Sequence, residues 1–192
     1  MDPTTLPEAY RLLHQEATRQ LSVWRAPDPA QEALRKSCLL HLGAHPDALW
    51  KQGPPAHFTA SCLVLDHTGS QVLLTLHRKA RAWFQFGGHF EPGDHDAHAA
   101  AQRETREESG IATLIARPEL VQLDRHRLVG SFGRCREHLD LRFVAVADEG
   151  AVPVVGAESL DVRWWPVGGL PVRTRRELEP LVAAARSVLG LP

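Results

Sequence analysis

The chain has 192 residues, which is enough for one domain with a hydrophobic core or for one domain that carries an extension. Its net charge of −1 excludes the strong overall field that attracts nucleic acids or anionic membranes, so we expect neither partner. Cys38, Cys62 and Cys135 are odd in number and form no CxxC pair, which argues against a disulfide framework or a zinc site. With no signal-peptide pattern and no apolar run of ~20 residues, we expect a cytoplasmic protein.

The first part of the chain, residues 1–55, is predicted to form a helical extension. Apolar residues recur there at the 3.6-residue spacing of a helix with one buried face: Leu6, Tyr10, Leu13, Ala17, Leu21 and Trp24. The segment APDP breaks this helix, and Asp28 followed by Pro29 indicates an N-cap and a first helical position. We expect the second helix to end near Leu42, where Gly43 provides a C-terminal stop.

Residues 56–192 are predicted to form one domain of mixed strands and helices. HFTASCLVLD and QVLLTLH flank the turn-like DHTGS, which predicts a hairpin with a longer loop, and WFQFGG is a further short strand. Later strands are LVQLDRHRL and HLDLRFVAVA, separated by a glycine-containing loop, and SLDVRWWPV. A final helix begins at Thr174, which fits a capping box with Glu177. This order of elements indicates an α/β sandwich.

Between the early and the late strands lies the stretch GGHFEPGDHDAHAAAQRETREESGI. Asp96 is suited to an N-cap and Gly110 to the residue after a helix, so a helix is predicted from Ala97 to Ser109. The glycines before it let the backbone turn sharply and approach a ligand closely. Asp94 lies where it could pair with Arg103 across the loop and the helix.

Three carboxylates of this helix, those of Glu104, Glu107 and Glu108, share one side of a helical wheel with small alanines. Arg103 and Arg106 fall on the other side. Like charges three and four residues apart destabilise a helix by a few tenths of a kcal/mol per pair. The alanines indicate close packing against a sheet, which would aim the carboxylates into a cleft, where a hard cation such as Mg²⁺ resolves their repulsion. The alternative is a solvated acidic face that the arginines balance.

This region resembles the signature of the Nudix hydrolases, which is a glycine, a spacer, an acid, a second spacer, then RExxEExG and an apolar residue. The residues that match are Gly88, Asp94, Arg103, Glu104, Glu107, Glu108, Gly110 and Ile111. Asp94 stands where the family usually has Glu, and eight residues separate it from Arg103 where the usual pattern has seven. Phe86 stands where many members have proline. We expect the turn before the helix to absorb the extra residue.

The resemblance implies a Nudix-type α/β/α sandwich with a mixed sheet and a metal-dependent hydrolysis. The substrate would be a nucleoside diphosphate linked to another moiety X, a small molecule of nucleotide type, and the cofactor would be Mg²⁺ or Mn²⁺. The implied metal ligands are Gly88, through its carbonyl, Glu104, Glu107 and Glu108. The implied catalytic residues are Arg103, Glu104 and Glu107, with Arg103 orienting the glutamates and Asp94 as its partner.

Several alternatives stay open at this point. A general base outside the helix would be Glu137 or Glu158, and His138 and Asp140 make one side of a predicted strand polar. The chain could also be a binding or regulatory Nudix domain without catalysis. A third alternative is an isopentenyl-diphosphate isomerase, which needs an active-site cysteine and a metal held largely by histidines. The N-terminal helices could form a lid or the contact of a homodimer.

Overall fold

A computed structural model describes residues 6–128 and 133–191 of the chain. Within these residues the elements are, in chain order, α1 (Glu8–Val23), α2 (Pro29–Ala44), β1 (Ala56–Leu65), β2 (Gln71–His77), β3 (Ala82–Phe84), β4 (Phe86–Gly88), α3 (Ala97–Ser109), β5 (Gln122–Arg127), β6 (Glu137–Val146), β7 (Ser159–Pro166) and α4 (Arg175–Val188). None of the helices in this part of the chain has the length and apolar character that crossing a membrane requires.

The strands form one mixed sheet that is centred on β1 and β6. These two strands run parallel along their whole length, from Ala56 beside Glu137 to Leu65 beside Val146. All the other pairings are antiparallel: β2 and β4 with β1, β5 with β6, and β3 and β7 with β2. The central order is therefore β3-β2-β1-β6-β5, and β1 contacts three other strands.

Successive residues of β1 point to opposite faces of the sheet, and each face has its own core. Phe58 and Cys62 belong to a cluster that includes buried residues of α1, α2 and α3. Leu63 and Leu65 belong to a second cluster, in which α4 contributes Leu178, Leu181, Val182 and Ala185. Three helices thus lie on one face and one helix on the other, so the predicted α/β/α sandwich is confirmed.

The two N-terminal helices pack onto the sheet and contribute to its core. The predicted apolar face of α1 is buried from Leu6 to Leu21, and the indole Nε1 of Trp24 donates to the carbonyl of Leu120 at 2.8 Å. From α2, the side-chain amide of Gln31 donates to the carbonyl of Leu123 at 3.0 Å and accepts from its N–H at 2.8 Å. The helices thereby contact both the core and the edge strand β5.

Two predicted elements differ from the structure in detail. The second helix continues through Gly43 to Ala44 and ends where the N–H of His45 bonds to the carbonyls of His41 and Leu42. WFQFGG is two short strands on either side of Gln85, because β3 pairs with β2 whereas β4 pairs with β1. The other predicted strands are confirmed to within one or two residues, and part of the loop between β5 and β6, residues 129–132, lies outside the described residues.

The start of α4 is confirmed, but the predicted capping box is not. The helix begins at Arg175, directly after Thr174, yet the Thr174 side chain makes no capping hydrogen bond. Its Oγ1 is buried and finds no hydrogen-bond partner. The helix is held instead by its apolar face, whose residues Leu178, Leu181 and Ala185 are fully buried.

Truncating the buried face of α1 should destabilise the whole fold. Leu13 is 1% exposed, so Leu13→Ala should lower the free energy of unfolding by about 2–5 kcal/mol. The neighbouring Leu12 is 53% exposed, and Leu12→Ala should change it by no more than ~0.5 kcal/mol. Denaturant titration followed by tryptophan fluorescence measures both values. Equal effects of the two substitutions would contradict the packing of α1 on the sheet.

Candidate functional site

Helix α3 is fixed at both ends by the residues that its sequence predicts. The Asp96 carboxylate accepts from the N–H of Ala99 at 2.7 Å, which satisfies one of the free donors of the first turn. Gly110 ends the helix in the left-handed conformation, with φ of 70°. The buried face of the helix consists of Ala97, Ala100, Ala101, Thr105 and Ser109. Because these residues are small, the helix lies close to the sheet and its glutamates lie next to β4.

Glu104 and Glu108 converge on the backbone of β4. The N–H of Gly87 donates to Oε2 of Glu108 at 3.1 Å. At Gly88, a Cβ atom would lie 2.4 Å from Oε1 of Glu104, so only glycine allows this approach of backbone and carboxylate. Glu107 differs from both, because its side chain is 62% exposed whereas that of Glu104 is 17% exposed. Two carboxylates thus lie at the sheet and the third lies at the solvent side.

The electrostatic environment of these carboxylates favours a cation or a proton. Burial raises the pKa of Glu108 to about 8; the Gly87 N–H opposes this shift, and the carboxylates of Glu104 and Glu158 add to it. Burial also raises the pKa of Glu104, although the Arg103 guanidinium opposes that shift. A solvated acidic face would not perturb carboxylates in this way, so the structure does not support that alternative for Glu104 and Glu108.

Arg103 binds both the glutamates of α3 and the loop between β4 and α3, residues 89–96. Its guanidinium forms a bidentate salt bridge with Asp94, in which Nε donates to Oδ1 at 3.0 Å and Nη2 donates to Oδ2 at 2.9 Å. Nη2 also donates to the carbonyl of His89 at 3.0 Å, and Nη1 donates to Glu104 at 3.0 Å and to Glu107 at 3.4 Å. The prediction that Arg103 falls on the opposite side from the glutamates is wrong, because residues four apart are neighbours on a helix and Arg103 contacts both Glu107 and the adjacent Glu104.

The departures of the loop from the Nudix pattern leave the pairing with Arg103 intact. Asp94 is buried, and its Oδ2 accepts from the N–H of Glu91 at 2.8 Å while its own N–H donates to the carbonyl of Glu91 at 3.0 Å. This small turn brings the short aspartate side chain to the guanidinium. The loop also contacts the N-terminal extension, because the Tyr10 hydroxyl donates to the carbonyl of Phe90 at 3.4 Å.

The two candidates for a general base lie in different places. Glu137 begins β6 opposite Ala56, whereas Gly87 pairs with Ser61, roughly 16 Å further along β1 at about 3.3 Å per residue. The Glu137 carboxylate accepts a hydrogen bond from Arg125 at 2.7 Å, and this contact lowers the pKa of Glu137. Glu158 is close enough to raise the pKa of Glu108. The structure therefore brings Glu158, and not Glu137, toward the glutamates of α3.

A network of buried polar side chains lies on the sheet face away from α3. Asp140 accepts from Thr59 Oγ1 at 2.9 Å, from Ser61 Oγ at 2.6 Å and from Arg142 at 3.0 Å, and Arg142 also binds Asp124 at 2.9 Å. Asp140 is thus engaged in structural hydrogen bonds. The network begins next to Gly87, whose N–H donates to Glu108, because a Cβ at Gly87 would lie 2.4 Å from the Cβ of Ser61.

At the other end of this network, three histidines surround a common space. His57 Nε2 and His89 Nε2 are 3.0 Å apart, and the ring centres of His57, His89 and His138 are separated by 5.0, 5.2 and 5.3 Å. One donor atom of each ring and Sγ of Cys135 all lie within 4.8 Å of one another. Burial is the largest cause that lowers the pKa of His89 to about 3 and that of His138 to about 4, so the rings are neutral.

Sequence analysis did not identify His57 or Cys135 as members of a site. The detectable signal was polarity at every second residue of otherwise apolar strands: His57, Thr59 and Ser61 in β1, and His138, Asp140 and Arg142 in β6. Two strands with matching alternation indicate a shared polar face. The sequence alone does not give the parallel register that sets His57 beside His138.

Comparison with known proteins agrees with this fold. Residues 55–186 match the family model described as the NUDIX domain. A search of curated proteins finds no match. Solved structures with a similar fold include an Ap4A hydrolase of C. elegans in a binary complex, with 18% identity over 69% of this chain and 97% of that one and a TM-score of 0.56.

Two further structures are similar to the same degree. The dihydroneopterin triphosphate pyrophosphohydrolase of E. coli is 19% identical over 68% of this chain and 97% of that one, with a TM-score of 0.52. The NUDIX domain of NrtR from Shewanella oneidensis, in complex with ADP ribose, is 16% identical over 69% of this chain and 87% of that one, with a TM-score of 0.51. Since the family model covers well over half of the residues, the chain belongs to the Nudix family.

Proposed function

We propose that the chain hydrolyses a phosphoanhydride bond in a nucleoside diphosphate linked to another moiety X, with Mg²⁺ or Mn²⁺ as its cofactor. The observation that carries this proposal is the convergence of Glu104 and Glu108 on the backbone of β4, in an environment that raises the pKa of both carboxylates. Family membership supports the same chemistry, and so do Nudix-fold structures that bear the names of nucleotide hydrolases.

The residues present fit a hard divalent cation. Mg²⁺ binds oxygen ligands and tolerates crowded carboxylates. Glu104, Glu108 and the carbonyl of Gly88 would supply these oxygens, with Glu107 at the solvent side. The charge of Glu108 is left without a cation, because Arg103 contacts Glu104 and Glu107, whereas among the described residues Glu108 accepts a hydrogen bond only from the N–H of Gly87.

In the reaction, water forms a new bond to one phosphorus while the bridging P–O bond breaks, and the proton of the water passes to a carboxylate. A divalent ion held by Glu104, Glu108 and the Gly88 carbonyl would neutralise the charge that gathers on the phosphate oxygens. Glu107 is exposed and would orient the attacking water. Arg103 holds Glu104 and Glu107 in place through Asp94, so it acts as a positioning residue. Glu158 is the favoured general base outside α3, because it lies close enough to Glu108 for their charges to interact.

Two alternatives are weaker. A binding domain without catalysis does not need a complete set of glutamates, and the chain retains all three. An isomerase would need a cysteine beside a metal held by histidines, and the three neighbouring histidines favour that alternative in part. Cys62, however, is fully buried in the core on the α3 side of the sheet, and burial raises the pKa of its thiol to about 12. Cys62 therefore cannot supply the thiol of an isomerase, which leaves Cys135, beside the histidines, as the thiol that an assay with isopentenyl diphosphate tests.

Substrate turnover tests the proposal directly. Phosphate or nucleotide release should be measured with Mg²⁺ or Mn²⁺ on a panel of nucleoside di- and triphosphates, nucleotide sugars, ADP-ribose, dinucleoside polyphosphates, dihydroneopterin triphosphate and coenzyme A. We expect metal-dependent release from one class, and a loss of about 10²–10³-fold in kcat in Glu104→Gln, Glu107→Gln and Glu108→Gln, as is typical when one electrostatic stabiliser of a transition state is removed.

The carboxamides keep the volume of the side chains and remove a charge that is buried at Glu104 and Glu108 and exposed at Glu107, so these variants should stay folded by circular dichroism. Isopentenyl diphosphate belongs in the same panel, assayed for a shift of its double bond. Isomerisation without hydrolysis would reject the proposed reaction and support the isomerase. Binding of a panel member without turnover, at unchanged affinity in all three variants, would support the non-catalytic alternative.

Substitution of Arg103 tests whether its role depends on its hydrogen-bond geometry or on its positive charge alone. Arg103→Lys keeps the positive charge but cannot form the bidentate salt bridge with Asp94, so activity or metal affinity should fall about 10–100-fold, as for other residues that orient metal ligands. Arg106→Lys is the matched control, since Arg106 makes a single bond of 2.8 Å to the carbonyl of Leu114. Steady-state kinetics against metal concentration compares the two variants. Similar losses in both would contradict a positioning role for Arg103.

Substitution of Gly88 should displace a glutamate without unfolding the chain. The three atoms nearest to a Cβ at Gly88 all belong to the far end of the Glu104 side chain, which can rotate away, so Gly88→Ala should retain most of its stability. Metal-dependent activity should nevertheless fall more than tenfold, because the carboxylate leaves its place. At Gly93 a Cβ meets nothing within 4 Å, and Gly93→Ala should retain wild-type activity. Thermal melts and kinetics on the same preparations measure both effects, and full activity of Gly88→Ala would contradict the contact.

A further inference from the structure

We propose that His57, His89, His138 and Cys135 form a second metal site, which binds one zinc ion and is separate from the glutamates of α3. The cluster draws on three segments of the chain. His57 is near the start of β1, His89 follows β4, and Cys135 and His138 flank the start of β6. No step of the proposed hydrolysis uses these side chains, so the inference does not depend on that function.

The spacing of the donor atoms fits a single small ion. The four donor atoms lie within 4.8 Å of one another, and the three imidazole ring centres form an almost equilateral triangle. In a tetrahedral zinc site with three nitrogens and one sulfur, with Zn–N near 2.0 Å and Zn–S near 2.3 Å, the donor atoms are about 3.3–3.5 Å apart. The cluster therefore needs movements of about 1 Å or less per side chain to close on the ion.

Hydrogen bonding already prepares His57 to be a ligand. Its Nδ1 lies 2.9 Å from the carbonyl of Pro54, which can only accept, so Nδ1 carries the proton. Nε2 of His57 is then an acceptor, and at 3.0 Å it accepts from Nε2 of His89; a zinc ion would take the place of the proton between them. A ligating imidazole that donates its other N–H to a backbone carbonyl is the usual arrangement at metal sites, because the carbonyl fixes both the tautomer and the ring orientation.

His138 supplies an independent sign of a missing ligand. Its Nε2 is buried and has no hydrogen-bond partner, one of three side-chain atoms in this state among the described residues. Such an atom costs roughly 1–3 kcal/mol unless a partner is present, so buried polar atoms are almost always paired. A zinc ion between His57, His89 and His138 would use this nitrogen as a ligand.

The chemistry of the donors selects zinc over the magnesium that suits the glutamates. Imidazole and thiolate are ligands of zinc and its neighbours in the first transition series, whereas Mg²⁺ takes oxygen. The thiolate of Cys135 would also offset the charge of Lys51, which acts on His57, His89 and His138 alike. His89 is next to Gly88, so the zinc ion would connect the segment beside the glutamates to the start of β6.

Metal analysis of the full chain tests the site. After incubation with Zn²⁺ and exhaustive dialysis against excess Mg²⁺, we expect one zinc per chain by elemental analysis. Co²⁺ in its place should give the visible bands of a tetrahedral ion and a thiolate-to-cobalt charge-transfer band in the near ultraviolet. His138→Gln should weaken zinc binding by more than ~10–100-fold, the loss that even a ligand-orienting residue causes. Cys135→Ser should remove the charge-transfer band, although Cys38 and Cys62 are still present.

Three controls assign the ion to this cluster. His95→Gln changes an exposed histidine outside the cluster and should retain the full zinc content. The double substitution Glu104→Gln with Glu108→Gln should also retain it, since those carboxylates belong to the other site. The melting temperature of wild type should rise with Zn²⁺, whereas that of His138→Gln should not, and the two proteins should melt alike in chelator because the side chain has no partner to lose at Nε2.

The outcomes that overturn the site are equally distinct. Loss of zinc on dialysis from the wild-type chain would reject it. A charge-transfer band that survives in Cys135→Ser would reject Cys135 as a ligand, and zinc lost in the glutamate double variant would assign the ion to α3 instead. Hydrolytic activity is not a readout in any of these measurements, so failure of the zinc site and failure of the proposed hydrolase are distinguishable.

Discussion

The guanidinium of Arg103 is the contact on which the site depends. Arginine offers five N–H donors, and here one goes to each oxygen of Asp94, one to the carbonyl of His89, and one each to Glu104 and Glu107. These bonds raise the pKa of Arg103 well above its usual range, so its charge is permanent. A loop, a strand end and a helix are thereby held in one geometry, and the carboxylates face β4 at a fixed distance.

Most features that depend on neighbours in sequence were predictable, but the side of Arg103 and the Thr174 cap were not. Asp96 and Gly110 define α3 to the residue, because capping and left-handed glycine are properties of a few adjacent residues. The pairing of Asp94 with Arg103 was also predicted and is confirmed. The prediction that Arg103 lies opposite the glutamates was wrong, because Arg103 and Glu107 are four residues apart and are therefore neighbours on the helix. Thr174 likewise fits the capping pattern but forms no capping bond.

The histidine cluster illustrates a second limit of sequence analysis. Cys135 has no second cysteine at short spacing, so the sequence argued against a zinc site. Its neighbours come from β1 and from the turn after β4, and only the parallel register of β1 with β6 and the antiparallel register with β4 bring them together. In the segment from Gly87 to His89, the first residue thus contacts Glu108 and the last belongs to the histidine cluster. Three consecutive residues connect the oxygen-rich and nitrogen-rich parts of the molecule.

The hydrogen bonds of Gln31 affect how the edge of the sheet can interact with other chains. Its amide bonds to both the N–H and the carbonyl of Leu123, and so takes the place that a neighbouring strand would occupy beside β5. An open strand edge is a template for pairing with other chains, and natural proteins cover such edges. Together with Arg125, which donates to Ser37 of α2 at 2.9 Å, this contact closes the edge with a helix. Any self-association of the chain would therefore have to use a surface other than a continuous sheet through Leu123.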